Sequence, residues 1–236
     1  MSFREKLNAI AKSYDVTIIQ NRRGFDQYAD LPEHLTSDSY YPSFLKARKE
    51  GFESHSGRSE IKAFLSPDAS MKFVDLGCCL NLICNGYDEW NSLYHGVDIS
   101  NEIITLLRTI AIQENIVVGS LYNGSIHETP YPDNYFDIGA CIGVLEYFEK
   151  SFVEMVLVEI NRIMKPYGRF VLDIPNNSTP MRRFFSMLEA HLGRPIDFDL
   201  TPIEFEILLR KHFKILRKDL LDGDAMIQYF LMVEKS

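Results

Sequence analysis

The sequence predicts an α/β protein: a doubly wound, seven-stranded, mostly parallel sheet that closes on an antiparallel hairpin. Three observations carry that prediction. From Met71 onward, short apolar runs alternate with amphipathic segments, the pattern of strands joined by crossover helices. The run "FVDLGCCLNLICNGY", residues 73–87, drives an apolar strand into an acid and a glycine. Ligand-binding loops of open α/β sheets begin this way. Finally, "FKILRKDLL" and "MIQYFLMVEKS" are separated only by "DGDA". No crossover helix fits in so short a connection, so these two strands must pair antiparallel.

Element by element, the apolar runs place strands at Lys72–Leu76, Leu93–Val97, Val118–Asn123, Phe136–Cys141, Arg169–Ile174, Phe213–Leu220 and Met226–Glu234. Ser100 is placed to cap a helix running to about Glu114, with Ile103, Leu107, Ile110 and Ala111 on one face. Ser151 and Glu154 have the spacing of a capping box for a helix over Phe152–Met164, which "KPYG" would stop. Thr201 and Glu204 form a second box, with Pro202 at the first helical position. Gly86 is placed to end the short helix after the glycine loop.

The first seventy residues are different. They are polar-rich, with helix-like patches at Ser2–Lys12, Pro42–Glu50 and Gly57–Leu65, and irregular sequence between them. The reading is an N-terminal helical appendage or lid over 1–70, followed by one domain over 71–236 that carries a cap segment at 177–200. At 236 residues and 46% hydrophobic, the chain is long and apolar enough for one sizeable core. A net charge of −8 argues against a nucleic-acid surface, which needs clustered Lys and Arg. The pairs Arg22–Arg23 and Arg182–Arg183 read as solvated faces. With no apolar run of membrane-spanning length and no signal-type N-terminus, a soluble, cytoplasmic protein without a membrane partner is expected. Cys78, Cys79, Cys84 and Cys141 lie in apolar surroundings without paired metal-ligand spacing. They read as reduced thiols, and no metal site is assigned.

The chemistry is expected outside the carboxyl ends of the strands, first of all in "DLGCCLN". A second acid, Asp98, ends the next strand in "LYHGVDIS". A carboxylate there can accept a hydrogen bond from each of two adjacent ribose hydroxyls. Neither a G-x-G-x-x-G dinucleotide loop nor a P-loop is present.

With these segments in order, the chain resembles the class I S-adenosylmethionine-dependent methyltransferases, of the small-molecule group that includes ubiquinone-biosynthesis enzymes (methyltransferase type 11). "FVDLGC" is similar to that family's first motif and "GVDIS" to its ribose-holding strand end. "TPYPDNYFDIGACIGVLEYF" is similar to its run through the fourth strand, and "INRIMKPYGRFVLDIPN" to the next helix, turn and fifth strand. "DLTPIEFEILLRKHFKI" is similar to the helix before the hairpin. The resemblance implies a Rossmann-like fold, S-adenosyl-L-methionine as cofactor and S-adenosyl-L-homocysteine as product.

Residue by residue, it implies Asp75 and Gly77 beneath the methionine part of the cofactor, with backbone atoms of Gly77, Cys78 and Cys79 near its amino and carboxylate groups. Asp98 would hold the ribose, Ile99 would pack on the adenine, and Cys141 would offer its carbonyl to the cofactor amine. Ser125 stands where the family often has an acid for the adenine amino group, leaving Ile126 and His127 to contribute backbone groups. Two glycines of the family's loop are replaced here by Cys79 and Asn81. A negative φ would suit the cysteine, and Asn81 tolerates a left-handed geometry.

The implied activity is O-, N- or C-methylation of a small-molecule acceptor. Catalytically silent binding of the cofactor or its product is the alternative, and a protein or nucleic-acid methyltransferase is a third reading. No general base is assigned. Many relatives carry His in an "LEH" segment, where this chain has Tyr147, a weak base at neutral pH. Tyr147 would either shape the acceptor pocket or cap a core cluster with Phe148. His34, His55 and His127 are replacement candidates. The pocket itself is expected between Phe25, Tyr28, Tyr40 and Tyr41 on one side and 177–200 on the other, with Arg182 or Arg183 available to an acidic acceptor. The acceptor and the oligomeric state are not specified.

Overall fold

The computed structural model describes residues 30–46, 59–195, 197–221 and 224–235. The expected patch at Ser2–Lys12, together with Arg22, Arg23, Phe25, Tyr28 and His55, lies outside these.

Two helical segments come first, α1 (Glu33–Thr36) and residues 41–46, then α2 (Ser59–Leu65). The remaining chain alternates as expected: β1 (Lys72–Leu76), α3 (Asn81–Cys84), β2 (Leu93–Asp98), α4 (Asn101–Gln113), β3 (Val118–Asn123), β4 (Phe136–Cys141), α5 (Lys150–Ile163), β5 (Met164–Pro175), α6 (Pro180–His191), α7 (Pro202–Leu209), β6 (Phe213–Leu221) and β7 (Met226–Val233). The seven strands form one sheet in the order β3-β2-β1-β4-β5-β7-β6. β1 to β5 pair in parallel, whereas β7 pairs antiparallel with both β5 and β6. Strand order reverses between β1 and β4, which places the switch point at the end of the glycine-loop strand.

Alternate residues of the central strands enter different apolar clusters, as a sheet covered on both faces requires. Val74 and Leu76 join α5 and α7 through Phe152, Val156, Ile160, Phe205 and Leu209. Phe73 faces the other way, with α2 and α4 through Ile61, Leu65, Ile103 and Leu107. A third cluster joins Leu35 and Phe44 to Met181, Phe184 and Leu188 of α6, with Tyr40 and Tyr41 against it. Among the described residues, no helix is long and apolar enough to cross a membrane.

Local signals mostly act where expected. Ser100 accepts from the Ile103 N–H, and Thr201 and Glu204 complete their reciprocal box. Ser151 and Glu154 do not form one. α5 starts earlier, at Lys150, and the Lys150 N–H is held by the Asp199 carboxylate at 3.0 Å. A distant acid thus supplies the acceptor that the local serine was expected to give. "KPYG" follows the helix end but belongs to β5, which begins at Met164. It bulges out of the ladder between Met164 and Arg169, with Tyr167 exposed at a φ of 64°.

Candidate active site

The helix between β1 and β2 is nearly missing: α3 is four residues long, and Gly86 turns the chain at a φ of 63°. Aromatic side chains fill the space a longer helix would occupy. Phe73 lies 5.1 Å from Tyr87, 5.0 Å from Trp90 and 5.7 Å from Tyr94 between ring centres. All four are buried. The glycine loop therefore rests on a packed aromatic base.

Above that base, a cavity of about 200 Å³ opens at the carboxyl ends of the strands. Gly77, Cys79 and Asn81 line it after β1, Asp98 and Ile99 after β2, and Gly124, Ser125 and Ile126 after β3. Ile142, Gly143, Val144, Tyr147 and Phe148 close it after β4, with Phe152 of α5. Of the residues singled out in the sequence, the fold thus brings Gly77, Cys79, Asp98, Ile99, Ser125, Ile126 and Tyr147 to one wall.

Asp75, Cys78 and Cys141 stand behind that wall, fully buried. The Tyr94 hydroxyl donates to Asp75 at 2.9 Å, and the Asn81 amide lies 3.5 Å from the same carboxylate. Asp75 braces the loop from beneath. Burial pushes the Cys78 and Cys141 thiols well up, so both stay protonated and neither is a nucleophile.

The loop amides face inward. Gly77 and Cys78 both donate to the Val97 carbonyl, at 2.8 and 2.9 Å, and Cys79 donates to Asp98 Oδ2 at 2.8 Å. These N–H groups hold the loop to β2 rather than presenting themselves to the cavity. Cys79 has a φ of 40°, opposite to the negative value expected for it, whereas Asn81 opens α3 and is not left-handed. Gly77, at a φ of 73°, faces Val144 so closely that an added Cβ would lie 2.3 Å from a methyl carbon. Glycine is required there by space as well as by backbone angle.

Asp98 is only 8% exposed yet lies on the cavity wall. One oxygen accepts from Cys79 and the other from the Ser100 N–H at 2.9 Å. A carboxylate so placed is suited to accept from the hydroxyls of a ligand diol. Ser125 accepts or donates at 2.6 Å to His127 Nδ1, and the His127 ring lies 5.2 Å from Phe152. His127 is therefore tied to the β3 loop, and His34 is exposed on α1. The apolar group of Ile99, Ile126, Phe148 and Phe152 forms a slot suited to a planar base. This donor and acceptor set fits an adenosine: an acid for the ribose and apolar walls for the ring.

The comparisons with known proteins follow this geometry. Residues 74–172 match the family described as "Methyltransferase domain". An uncharacterized protein of Methanocaldococcus jannaschii is 28% identical over 106 residues, 45% of this chain and 41% of its own length. An uncharacterized methyltransferase of Bacillus subtilis is 25% identical over 104 residues, 44% and 40% respectively. The matched stretch spans about four-tenths of these relatives. The crystal structure of geranyl diphosphate C-methyltransferase from Streptomyces coelicolor, in complex with Mg2+, geranyl diphosphate and S-adenosyl-L-homocysteine, superposes with a TM-score of 0.63. That likeness covers 87% of this chain and 89% of the other at 14% identity. Residues 74–172 thus match a methyltransferase-domain family, and the fold around them is the one seen in that solved methyltransferase. S-adenosylmethionine is the cofactor that such a domain takes.

Beside the cofactor half lies a polar group that sequence reasoning did not assemble. Gly143, at a φ of 69° with open space over its Cα, donates to the Asp173 carboxylate of β5 at 2.7 Å. Glu146, in the short 3-10 turn Leu145–Tyr147, is half-buried, and burial pushes its carboxyl up to about 7. Arg182, expected in solvent, is only 7% exposed and sits within the fields of Glu146 and Glu189; Arg183 is exposed as expected. The signal for Arg182 was available: it shares the inward face of α6 with Met181, Phe184 and Leu188.

Proposed function

We propose that the protein binds S-adenosylmethionine in this cavity and methylates a small-molecule acceptor. The observation that carries the reading is Asp98: a buried carboxylate on the cavity wall at the end of β2, held in place by two backbone N–H groups. Ile99 and Ile126 flank the adenine, Ser125 lies at its edge, and Gly77 and Cys79 border the methionine part. The bound cofactor supplies an electrophilic methyl carbon. The protein's task is to orient the acceptor and exclude water, which the apolar walls of Val144, Tyr147, Phe148 and Phe152 favour. Residues 30–46 and the cap segment 177–200 form the acceptor-side cover, a role supported by their shared apolar cluster.

A second reading, silent binding of cofactor or product, is favoured by one observation: the loop amides of Gly77, Cys78 and Cys79 are already engaged with β2. Calorimetry with S-adenosylmethionine and S-adenosylhomocysteine tests the shared premise. Heat from both, followed by methyl transfer to any of a panel of small acceptors, supports the enzyme. Absence of heat from a folded sample removes both readings.

A further inference from the structure

The loop after β3 is fastened to the end of β2, beside the proposed ribose acid. The Gly124 N–H donates to the Asp98 carbonyl at 2.9 Å, and the Asn123 amide reaches the Asp98 and Ile99 carbonyls at 3.1 and 2.9 Å. These bonds fix where Ser125, the next residue, stands on the cavity wall. Strand order runs β3-β2-β1, so a nucleoside with its ribose over the β2 end would place its base toward one of the two flanking loops. The apolar slot decides which: Ile126 belongs to the β3 loop, and Phe152 meets His127 of that loop at 5.2 Å between ring centres. Of the three β3-loop residues on the wall, Gly124, Ser125 and Ile126, only the serine has a polar side chain.

We propose that His127 holds the Ser125 hydroxyl as a hydrogen-bond acceptor toward the cavity, and that the pair thereby selects a purine with an amino group at its six-position. The inference rests on the S-adenosylmethionine reading above. Ser125 touches the base, and His127 is a positioning residue that acts through it.

Ser125 Oγ and His127 Nδ1 lie 2.6 Å apart, with one proton between them. The carboxylate of Glu128 lies 3.9 Å from Nε2 of the same ring. It favours a proton on that nitrogen, which leaves Nδ1 of the neutral ring as an acceptor. The serine proton then points at Nδ1, and only oxygen lone pairs face the ligand. An amino group on the base donates to them, whereas a ring carbonyl in its place would set oxygen against oxygen. A serine so held offers what a carboxylate would offer there, acceptance without donation. Packing keeps the ring at its post: His127 rests on Phe152, whose ring centre is 4.0 Å from that of Phe148. A pair that only fastened the loop would affect every nucleoside alike.

The test is calorimetry with S-adenosylhomocysteine and two analogues, one with hypoxanthine and one with unsubstituted purine in place of adenine. Each protein is judged by the ratio of its affinities for two ligands, which cancels any loss of folded sample. The parent should favour adenine roughly tenfold or more over hypoxanthine and about three- to tenfold over purine. Ser125→Ala should bring purine to within about twofold of adenine. His127→Phe keeps a ring against Phe152 but frees the hydroxyl to donate, and should bring hypoxanthine to within about threefold. His127→Asn, whose side-chain oxygen can replace Nδ1 as acceptor, should keep the parental ratios. Nitrogen NMR of ring-labelled histidine, with S-adenosylhomocysteine bound, gives a second reading. The signal that His127→Phe removes should show a protonated Nε2 and a bare Nδ1. Parental ratios in Ser125→Ala or His127→Phe, their loss in His127→Asn, equal binding of all three ligands by the parent, or a proton on Nδ1 overturns the proposal. Failure of the parent to bind S-adenosylhomocysteine at all would instead remove the methyltransferase reading itself.

Discussion

The two halves of the site are built by opposite means. On the β1–β2 side, the loop rests on interlocked rings and its amides are tied to the neighbouring strand, so its shape is set before any ligand arrives. On the β4–β5 side, acids and an arginine from different elements lie within one another's fields, with Glu146 half-buried and Arg182 buried. Shape comes from packing in the first half, and chemistry from frustrated charge in the second. Substitutions should therefore cost stability on one side and alter titration on the other.

The largest effect expected is structural. Phe73→Ala removes the ring that touches Tyr87, Trp90 and Tyr94 at a fully buried position. A loss of about 3–5 kcal/mol in urea-unfolding stability follows from comparable core truncations. Trp90, the chain's single tryptophan, packs on Phe73 and reports the transition by its fluorescence. A loss below about 1 kcal/mol would show that the aromatic base is not what holds the loop.

The pH response should separate the halves by sign. His95, on β2, is 3% exposed, bonded to Ser120 through Nδ1, with no hydrogen-bond partner for Nε2 among the described residues. Burial and the nearby Lys72 charge depress it from 6.5 to about 4. The unfolded chain then holds more protons between those values, so the stability is full above pH 6.5 and is lost as pH falls toward 4. Glu146 runs the other way: raised from 4.5 to about 7, it favours the fold at low pH and penalises it as pH rises through 7. Each is worth on the order of 3 kcal/mol, and in the parent they oppose each other between pH 4.5 and 6.5. His95→Gln should flatten the acid limb of stability against pH, and Glu146→Gln should raise stability at neutral pH. Parallel changes in the two variants would contradict the contrast.

Ligand binding should show the same division. Asp98→Ala removes the carboxylate that holds the loop and is proposed to hold the ribose, and should weaken S-adenosylhomocysteine by roughly 2 kcal/mol. Asp98→Asn keeps an acceptor oxygen and should lose less. If calorimetry finds both variants at parental affinity, the ribose lies elsewhere.

What could be read from the sequence follows the same line. Strands, the closing hairpin, the Ser100 cap and the Thr201–Glu204 box are legible because their causes lie within a few residues. The cavity wall is legible because one loop per strand end supplies it. The start of α5 is not, because Asp199 comes from a distant loop to hold its first amide. The mutual influence of Glu146, Asp173, Arg182 and Glu189 is also hidden, since they come from three separate elements, the 3-10 turn, β5 and α6. For Arg182, charge suggested solvent while helical position on α6 put it inside, and position won.

The smallest effect returns to the altered glycine loop. Cys79 sits at a φ of 40°, where a side chain costs roughly 1–2 kcal/mol. Cys79→Gly removes that strain but adds freedom to the unfolded chain, worth about 0.5–1 kcal/mol in the other direction. The thiol also packs at the edge of the aromatic cluster, a contact the variant gives up. These terms nearly cancel, so a stability change within about 1 kcal/mol is expected in urea unfolding. Its N–H bond to Asp98 survives the change, since it is made by the backbone, and S-adenosylhomocysteine affinity should stay within about threefold of the parent. A tenfold tightening would show instead that the cysteine obstructs the cavity, making the substituted loop a brake on cofactor binding rather than a tolerated variation on glycine.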